Sequence, residues 1–233
     1  FDTQEEAYNH LFKELDEAVA TLTDYVEKYP GAKPFESFDL LLGGDNVKWI
    51  KFANSIKLRA AMRISKVDPS LAKKMAEEAV SHKFGVLEDG VVAVSGKGWV
   101  NPLSTLDDWT DNNMNAEMES ILVGYDDPRL SKFFLPAADP AVKDAGFSYK
   151  GIRMGIHITQ KDTYVNHSRL NTTPDGAGII MTAAESWFLR AEGALRGWSG
   201  MGGSAQELYE KGVATSFAQW GAGSAADYLK SDN

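Results

Sequence analysis

The sequence contains no cysteine and carries no surplus of positive charge. The absence of cysteine among its 233 residues excludes disulfide frameworks, thiolate zinc sites and cysteine nucleophiles, although it does not indicate a compartment. There are 24 basic and 33 acidic side chains, giving a net charge of −9. This balance argues against a nucleic-acid partner, whose phosphates require a basic surface. No apolar run approaches the roughly 18 residues of a membrane-spanning helix.

The remaining composition is that of a globular protein. Hydrophobic residues make up 43% and charged residues 24% of the chain, and a chain of this length can bury roughly 70% of its unfolded surface. The chain starts at Phe1, without a secretion signal, and enters a helical pattern almost at once. We therefore expect an internal fragment, truncated at both ends, of a longer protein.

Helical periodicity dominates the first third of the chain. A helix is predicted over residues 4–28, begun by a capping box of Thr3 and Glu6. A second is predicted over residues 46–66, and Asp68 with a following proline begins a third. The predicted buried face of the first helix consists of Ala7, Leu11, Leu15, Ala18, Leu22 and Val26. Basic residues alternate with the apolar face of the second: Lys51, Lys57, Arg59, Arg63 and Lys66.

The middle of the chain is less regular. Gly, Asp, Asn, Ser and Trp replace the helical pattern, and helices return with capping boxes at Thr182/Glu185 and Ser204/Glu207. We expect short strands at residues 91–94, 149–154 and 157–159, and helices at 115–124 and before Phe134. The fold class predicted is mainly α, with tetratricopeptide-like helix pairs and irregular loop insertions. We expect one domain, with helical scaffold at 1–83 and 179–233 and an irregular, ligand-binding region at 84–178.

The sequence offers little for metal or cofactor binding. The four histidines include no pair at the i, i+4 spacing of a helical metal site. Residues 111–115 resemble the start of an EF-hand loop, but Ala116 and Leu122 occupy the places that require Gly and Glu. No cofactor, metal or catalytic residue is therefore predicted. A looser calcium site built from Asp107, Asp108 and Asp111 remains as an alternative.

Aromatic residues in the irregular region are the most informative for function. Trp109 has aspartates and asparagines on both sides, and a sugar ring packs its C–H face on an aromatic ring while polar side chains bind its hydroxyls. The candidate ligand-binding residues are Trp99, Asn101, Asp107, Trp109, Asn112 and Asn113. The alternative interpretation, equally open, is that the two tryptophans anchor their loops against the helices. Trp49, Trp187 and Trp220 lie on helical faces and are predicted to be in the core.

An ordered set of motifs resembles the SusD/RagB family over nearly the whole chain. The most recognisable are WIKFANSIKLRAAMRI at residues 49–64 and MTAAESWFLRAE at residues 181–192. Between them stand DPRL at 127–130 and YKG at 149–151, and SAQELY follows at 204–209. The first helix, residues 1–22, is similar to the one that precedes these motifs in the family. Each motif is weak alone, but their order is specific.

The resemblance implies a mainly helical outer-membrane lipoprotein of Bacteroidetes, displayed at the cell surface. Members bind oligosaccharides or polysaccharides, in some cases peptides, and pair with a SusC-like TonB-dependent transporter. They are not enzymes, and the lipid anchor expected of a full-length member is absent from this chain. Two other classes remain open: a helical scaffold that binds only peptide or protein, and an all-helical glycoside hydrolase. The hydrolase would use two carboxylates among Asp107, Asp108, Asp111, Glu117 and Glu119.

Overall fold

The computed structural model describes residues 1–96 and 98–231. Within them the structure is mainly helical, with one two-stranded sheet. The α-helices are α1 Gln4–Lys28, α2 Asn46–Arg63, α3 Pro69–Ser81, α4 Pro102–Asp108, α5 Ala116–Gly124, α6 Leu130–Phe133, α7 Pro140–Asp144, α8 Ala183–Leu195, α9 Ala205–Trp220 and α10 Ala225–Tyr228. The strands are β1 Val91–Val94 and β2 Gly178–Thr182, and a 3₁₀ helix covers Lys161–Thr163.

The described chain forms two compact units. The first comprises Phe1–Val94 and Ile179–Ser216. The second comprises Ser95–Gly178 and the described chain from Phe217 onward, so that the division falls within α9. The second unit contains most of the segment 84–178 that the sequence predicts to be irregular.

The first unit is built from layered helices. α2 packs against α1, α3 and α8. Phe12 of α1, Leu58 of α2 and Met75 of α3 share one apolar core, and the small residues Ala61 and Ala76 are fully buried within it. Alanines at these positions let the helices approach closely, as expected for tetratricopeptide-like pairs.

Local signals set the helix ends as the sequence predicts. The Thr3 side chain accepts a hydrogen bond from the Glu6 amide, and the Glu6 carboxylate accepts from the Thr3 amide. The same reciprocal pair joins Ser204 and Glu207. Asp68 caps α3 by accepting from the Leu71 amide, with Pro69 at the first helical position. These contacts depend on residues three apart, so the sequence alone reveals them.

Two helix predictions need correction. The buried side of α1 carries Phe12 and Val19. Of the predicted face, Leu15, Leu22 and Val26 are half-buried, whereas Ala7, Leu11 and Ala18 are exposed. The second correction concerns α2, which ends at Arg63 rather than residue 66 because residues 64–67 form a turn.

The predicted strands are confirmed only in part. β1 is present at 91–94 and pairs with β2, which the sequence did not indicate. No strand forms at 149–154 or 157–159; in this described stretch there is a single bridge, between Asn115 and Ile152. In the segment 149–154, backbone groups of Lys150 and Ile152 bond instead to Ser168, Met114 and Ala116. α4, α7 and α10 are also additional, because each is too short to produce a clear periodicity.

The second unit has a smaller core. Met114, Leu122 and Phe134 are buried together, and Tyr149 and Leu170 pack on them. The chain passes so close to itself at Gly151 that a Cβ there would lie 2.4 Å from the Asn115 carbonyl oxygen. Glycine is therefore required at 151 for close backbone packing.

Candidate ligand-binding site

Asn101 fixes the start of α4, in the second unit. Its side chain accepts a hydrogen bond from the Leu103 amide at 3.0 Å and donates to the Thr172 hydroxyl at 3.2 Å. Its own amide donates to the Pro174 carbonyl at 2.8 Å. The residue is buried. The structure thus places Asn101 as a helix cap that ties α4 to the 172–174 segment.

Asp107, near the end of α4, forms a bidentate ion pair with Arg169. The Arg169 Nε and Nη2 donate to the two carboxylate oxygens at 3.1 and 2.6 Å, and Nη2 also donates to the Asp107 carbonyl. The hydrogen bond with Asp107 raises the pKa of Arg169, against the opposing effect of burial. Both oxygens of Asp107 are therefore engaged within the protein.

The Trp99 ring lies against backbone. Its Nε1 donates to the Gly176 carbonyl at 2.9 Å, and a Cβ at Gly178 would lie 2.6 Å from the ring. The side chain is half-buried. One part of the indole is thus occupied by the 176–178 segment.

Trp109, by contrast, presents its ring to solvent. The residue is 61% exposed, yet its backbone is held at both ends: the amide donates to the Thr105 carbonyl, and the carbonyl accepts from Lys161 Nζ. Lys161 also donates to the Asp111 carboxylate at 2.6 Å. Thr110, which lies between Trp109 and Asp111 in the chain, has a φ of +57°. This left-handed conformation turns the chain sharply. An exposed indole on a fixed loop is suited to stacking.

Of the two candidate asparagines that follow Trp109 in the irregular region, Asn113 lines a cleft and Asn112 does not. Asn113 Nδ2 donates to the Tyr164 carbonyl at 3.3 Å, while Asn112 Nδ2 is shielded from solvent and has no partner in the described structure. Asp111 and Asn113 line a cleft of about 490 Å³. Other side chains in its wall are Arg153, Met154, Ile158, Lys161 and Tyr164.

Arg153, Lys161 and Tyr164 were missed by sequence reasoning. They lie about 50 residues from Trp109, in a turn-rich stretch without a recognisable pattern, so no local signal indicates that they share the cleft. Of the six predicted residues, Asn113 lines the cleft itself, and Trp109 is the one with a largely free ring.

The three tryptophans assigned to helical faces pack as follows. Trp187 is buried on α8, and its Nε1 donates to the Glu88 carbonyl. Trp49 is half-buried and donates to the Asp39 carboxylate at 2.7 Å. Trp220 packs edge-on against Phe133, with ring centroids 4.9 Å apart.

Three of the five carboxylates proposed for metal or acid–base chemistry have basic or amide partners: Asp107, Asp111 and Glu119. Asp111 pairs with Lys161, and Glu119 accepts from Lys150 Nζ at 3.1 Å and from the Gly151 amide at 2.7 Å. The described part of the chain contains no group of three or more metal-ligating His, Asp or Glu side chains. Nor does any described helix combine the length and apolar character needed to cross a bilayer.

Comparison with known families shows which family the chain belongs to. The family model of the SusD-like "Susd and RagB outer membrane lipoprotein" matches residues 1–233. The chain belongs to the SusD-like family. This SusD-like assignment confirms the resemblance read from the motifs, the mainly helical fold and the outer-membrane lipoprotein class. SusD-like proteins are non-catalytic binding proteins, in agreement with the prediction that the chain is not an enzyme.

Solved structures of SusD homologues share the fold. A chitin-binding SusD homologue from Flavobacterium johnsoniae is 43% identical, with a TM-score of 0.90 over 99% of this chain and 47% of its own. A SusD homologue from Bacteroides vulgatus is 40% identical, with a TM-score of 0.91 over 100% and 47%. A SusD-like protein from Bacteroides thetaiotaomicron is 36% identical, with a TM-score of 0.89 over 100% and 48%. The chain thus spans about half the length of these structures. No match was found among curated protein sequences.

Proposed function

We propose that this chain is part of a non-catalytic, surface-exposed glycan-binding protein that captures oligosaccharides for a SusC-like TonB-dependent transporter. The observation that supports glycan binding is Trp109, a largely exposed indole whose backbone carbonyl accepts a hydrogen bond from Lys161. Lys161 and the two residues after Trp109 line a cleft with both polar and apolar side chains. Membership of the SusD-like family supports the transporter partner and the lipid-anchored location.

The chemistry of this site suits a sugar. The indole face packs against sugar C–H groups, and by analogy with base stacking one ring contributes about 1–3 kcal/mol. Asn113, Asp111 and Arg153 in the cleft offer donors and acceptors for hydroxyl and amide groups. Holding the backbone of Trp109 before binding lowers the entropy lost on association.

Relatives suggest which sugar to test first. The Flavobacterium homologue is described as chitin-binding, and so is a second structural match at 28% identity. We therefore propose an oligosaccharide of N-acetylated amino sugars as the ligand, whose acetamido groups add an amide donor and acceptor to each residue.

Fluorescence titration tests the proposal. Chito-oligosaccharides, with cello-oligosaccharides for comparison, are titrated against the wild-type chain and the Trp109→Ala and Trp109→Phe variants, while reducing-end release is measured in the same samples. We expect binding without release, a loss of about tenfold or more in affinity for Trp109→Ala, and a smaller loss for Trp109→Phe, which keeps an aromatic face.

The Tyr125→Ala variant is the matched control, because Tyr125 is an exposed aromatic of the same unit that does not line the cleft. Equal loss in the Tyr125 and Trp109 variants would remove Trp109 from the site. Release of reducing ends would instead favour the alternative of an all-helical glycoside hydrolase.

A protein-binding scaffold is the second candidate. It is favoured by Trp99, Asn101 and Asp107, whose side chains are engaged within the protein rather than left for a sugar. It predicts no response to any glycan, and retention of the transporter or a peptide in pull-down experiments with the Trp109→Ala variant.

A further inference from the structure

The basic residues of α2 and of the turn that follows differ in whether they have partners. Lys57 is buried and bonded to Asp16 and Glu78. Arg63 and Lys66, in contrast, are exposed, and neither side chain forms a hydrogen bond or ion pair with any residue that the structure describes. Of the five basic residues singled out in the sequence, Lys57 and Arg59 are thus paired, and among the other three Arg63 and Lys66 line one cavity, which Lys51 does not.

Arg63 and Lys66 line a cavity of about 410 Å³ in the first unit. The cavity lies at the end of α2 and includes side chains of α8. Met62 and Leu189 give it an apolar part, and Ser65 adds a hydroxyl. Its charged side chains are Arg59, Arg63, Lys66, Glu185, Glu192 and Arg196.

Both carboxylates of this cavity are neutralised by guanidinium groups. Arg59 donates from Nε and Nη2 to Glu185 at 2.5 and 2.6 Å. Arg196 donates from Nε and Nη2 to Glu192 at 3.0 and 2.6 Å. The surplus of two positive charges therefore belongs to Arg63 and Lys66, in a chain whose overall net charge is −9.

Helix-end electrostatics account for only part of this surplus. Cations are favourable near the C-terminal end of a helix, where the macrodipole leaves about half a negative charge. Arg63 is the last residue of α2 and supplies such a cation by itself. A second free cation three residues later, beside the same cavity, exceeds what the helix end requires.

We propose that this cavity binds a phosphoryl group. A guanidinium and an ammonium beside one concave site match a dianionic oxyanion, because arginine offers a planar fork of donors and lysine a mobile point charge. The group can be carried by a phosphorylated sugar or by a lipid headgroup; the recognition chemistry is the same. This site is separate from the Trp109 cleft and does not depend on the function proposed there.

An NMR titration tests the proposal with glucose 6-phosphate as the probe and glucose as its uncharged counterpart. Amides of residues 62–66 and of α8 near Arg196 should shift with the phosphate only. The double variant Arg63→Ala/Lys66→Ala should lose about tenfold or more in affinity, because two charge-assisted contacts are removed. The matched control, Lys48→Ala/Lys51→Ala, removes the same charge from the first half of α2, outside this cavity, and should retain the wild-type affinity.

Vesicle flotation separates the two sources of the phosphoryl group. Vesicles of phosphatidylcholine, with and without phosphatidic acid, are mixed with each variant. Flotation that requires phosphatidic acid and is lost only in the Arg63/Lys66 variant identifies a lipid headgroup; sugar-phosphate binding without flotation identifies a soluble phosphate. Absence of both, or equal loss in the control variant, overturns the proposal. Circular dichroism of both variants establishes that the helices are retained.

Discussion

In the first unit, the buried Lys57 joins regular helices, whereas in the second unit Arg169 holds a loop. Lys57, whose side chain is 5% exposed, connects α2 to Asp16 on α1 and Glu78 on α3. Arg169 of the second unit instead connects a loop to the end of α4 through Asp107. The same chemistry thus strengthens a layered core in one unit and replaces regular structure in the other.

The tryptophans show the same difference. Trp187 of the first unit is buried, bonded through Nε1 to a backbone carbonyl and stacked with Arg190 at 4.3 Å. Trp109 of the second unit is fixed only through its backbone. Among the tryptophans, Trp109 is thus the one whose ring remains largely in water.

The largest expected effect concerns these two tryptophans. Trp187→Ala should lower the free energy of unfolding by about 3–5 kcal/mol, because a buried indole and its hydrogen bond are removed. Trp109→Ala should change it by less than about 0.5 kcal/mol, since the ring is mostly in water. Urea denaturation of both variants measures the difference. A comparable loss in the two variants would mean that the Trp109 ring also supports the fold.

Unpairing Lys57 should be the next most damaging change. The Asp16→Asn/Glu78→Gln variant leaves a buried ammonium without a carboxylate, so we expect a loss of about 3 kcal/mol in the free energy of unfolding. Lys57→Met should cost less, because it removes the buried charge and leaves carboxylates that are about half exposed. If Lys57→Met proves the more damaging of the two, the ammonium stabilises the helices more than its burial opposes them.

In the second unit, a single methyl group tests the tight loop packing. Gly151→Ala should lower the free energy of unfolding by about 2 kcal/mol, because the added carbon meets the Asn115 backbone and cannot be accommodated by a side-chain movement. Gly155→Ala is the control: it has a φ of +77° and open space around it, so only the conformational cost of about 1 kcal/mol applies. Thermal unfolding followed by circular dichroism compares them, and equal midpoints would contradict the close approach.

The smallest expected effect concerns the free energy of unfolding at acidic pH. Burial acts to raise the pKa of Asp127, but hydrogen bonds from the Arg129 side chain and backbone outweigh it, so this pKa is lowered. A carboxyl with a lowered pKa in the folded state contributes stability above about pH 4, which is lost as the pH falls through the folded-state value. Asp127→Asn should therefore cost about 1 kcal/mol at neutral pH and reduce the slope of stability against pH below about 4.

Asp39→Asn gives the counterpart in the first unit. Burial acts to raise the pKa of Asp39. Hydrogen bonds from the Trp49 side chain and from the backbone amides of Gly44, Leu42 and Leu41 outweigh it, so this pKa is lowered. The acid slope should flatten in this variant too. Unchanged slopes in both variants would show that neither carboxyl contributes to acid unfolding.

The helix ends show how much of the fold could be predicted. The Thr182–Glu185 box was half right: the Thr182 side chain accepts from the Glu185 amide, but the Glu185 carboxylate binds Arg59. The cap is a local contact. Arg59 lies 126 residues away in sequence, and no spacing rule connects it to Glu185.

The candidate site was less predictable for the same reason. Composition drew attention to residues 99–113, but it could not separate Trp109, which remains exposed, from Asp107, which pairs with Arg169. Polar residues that hold a loop and polar residues that await a ligand have the same sequence signature. Their partners, 50 to 77 residues away, distinguish them.

By itself, the sequence determined the longer helices, several of their caps and the family, because these depend on neighbours within a few positions or on the order of motifs. Tertiary structure decided which charges have partners, which tryptophan is exposed and where backbone meets backbone. Hydrogen bonds and ion pairs between distant segments form only when the chain has folded. The side chains available to a ligand are therefore those that these internal contacts leave unengaged, and the sequence alone does not show which they are.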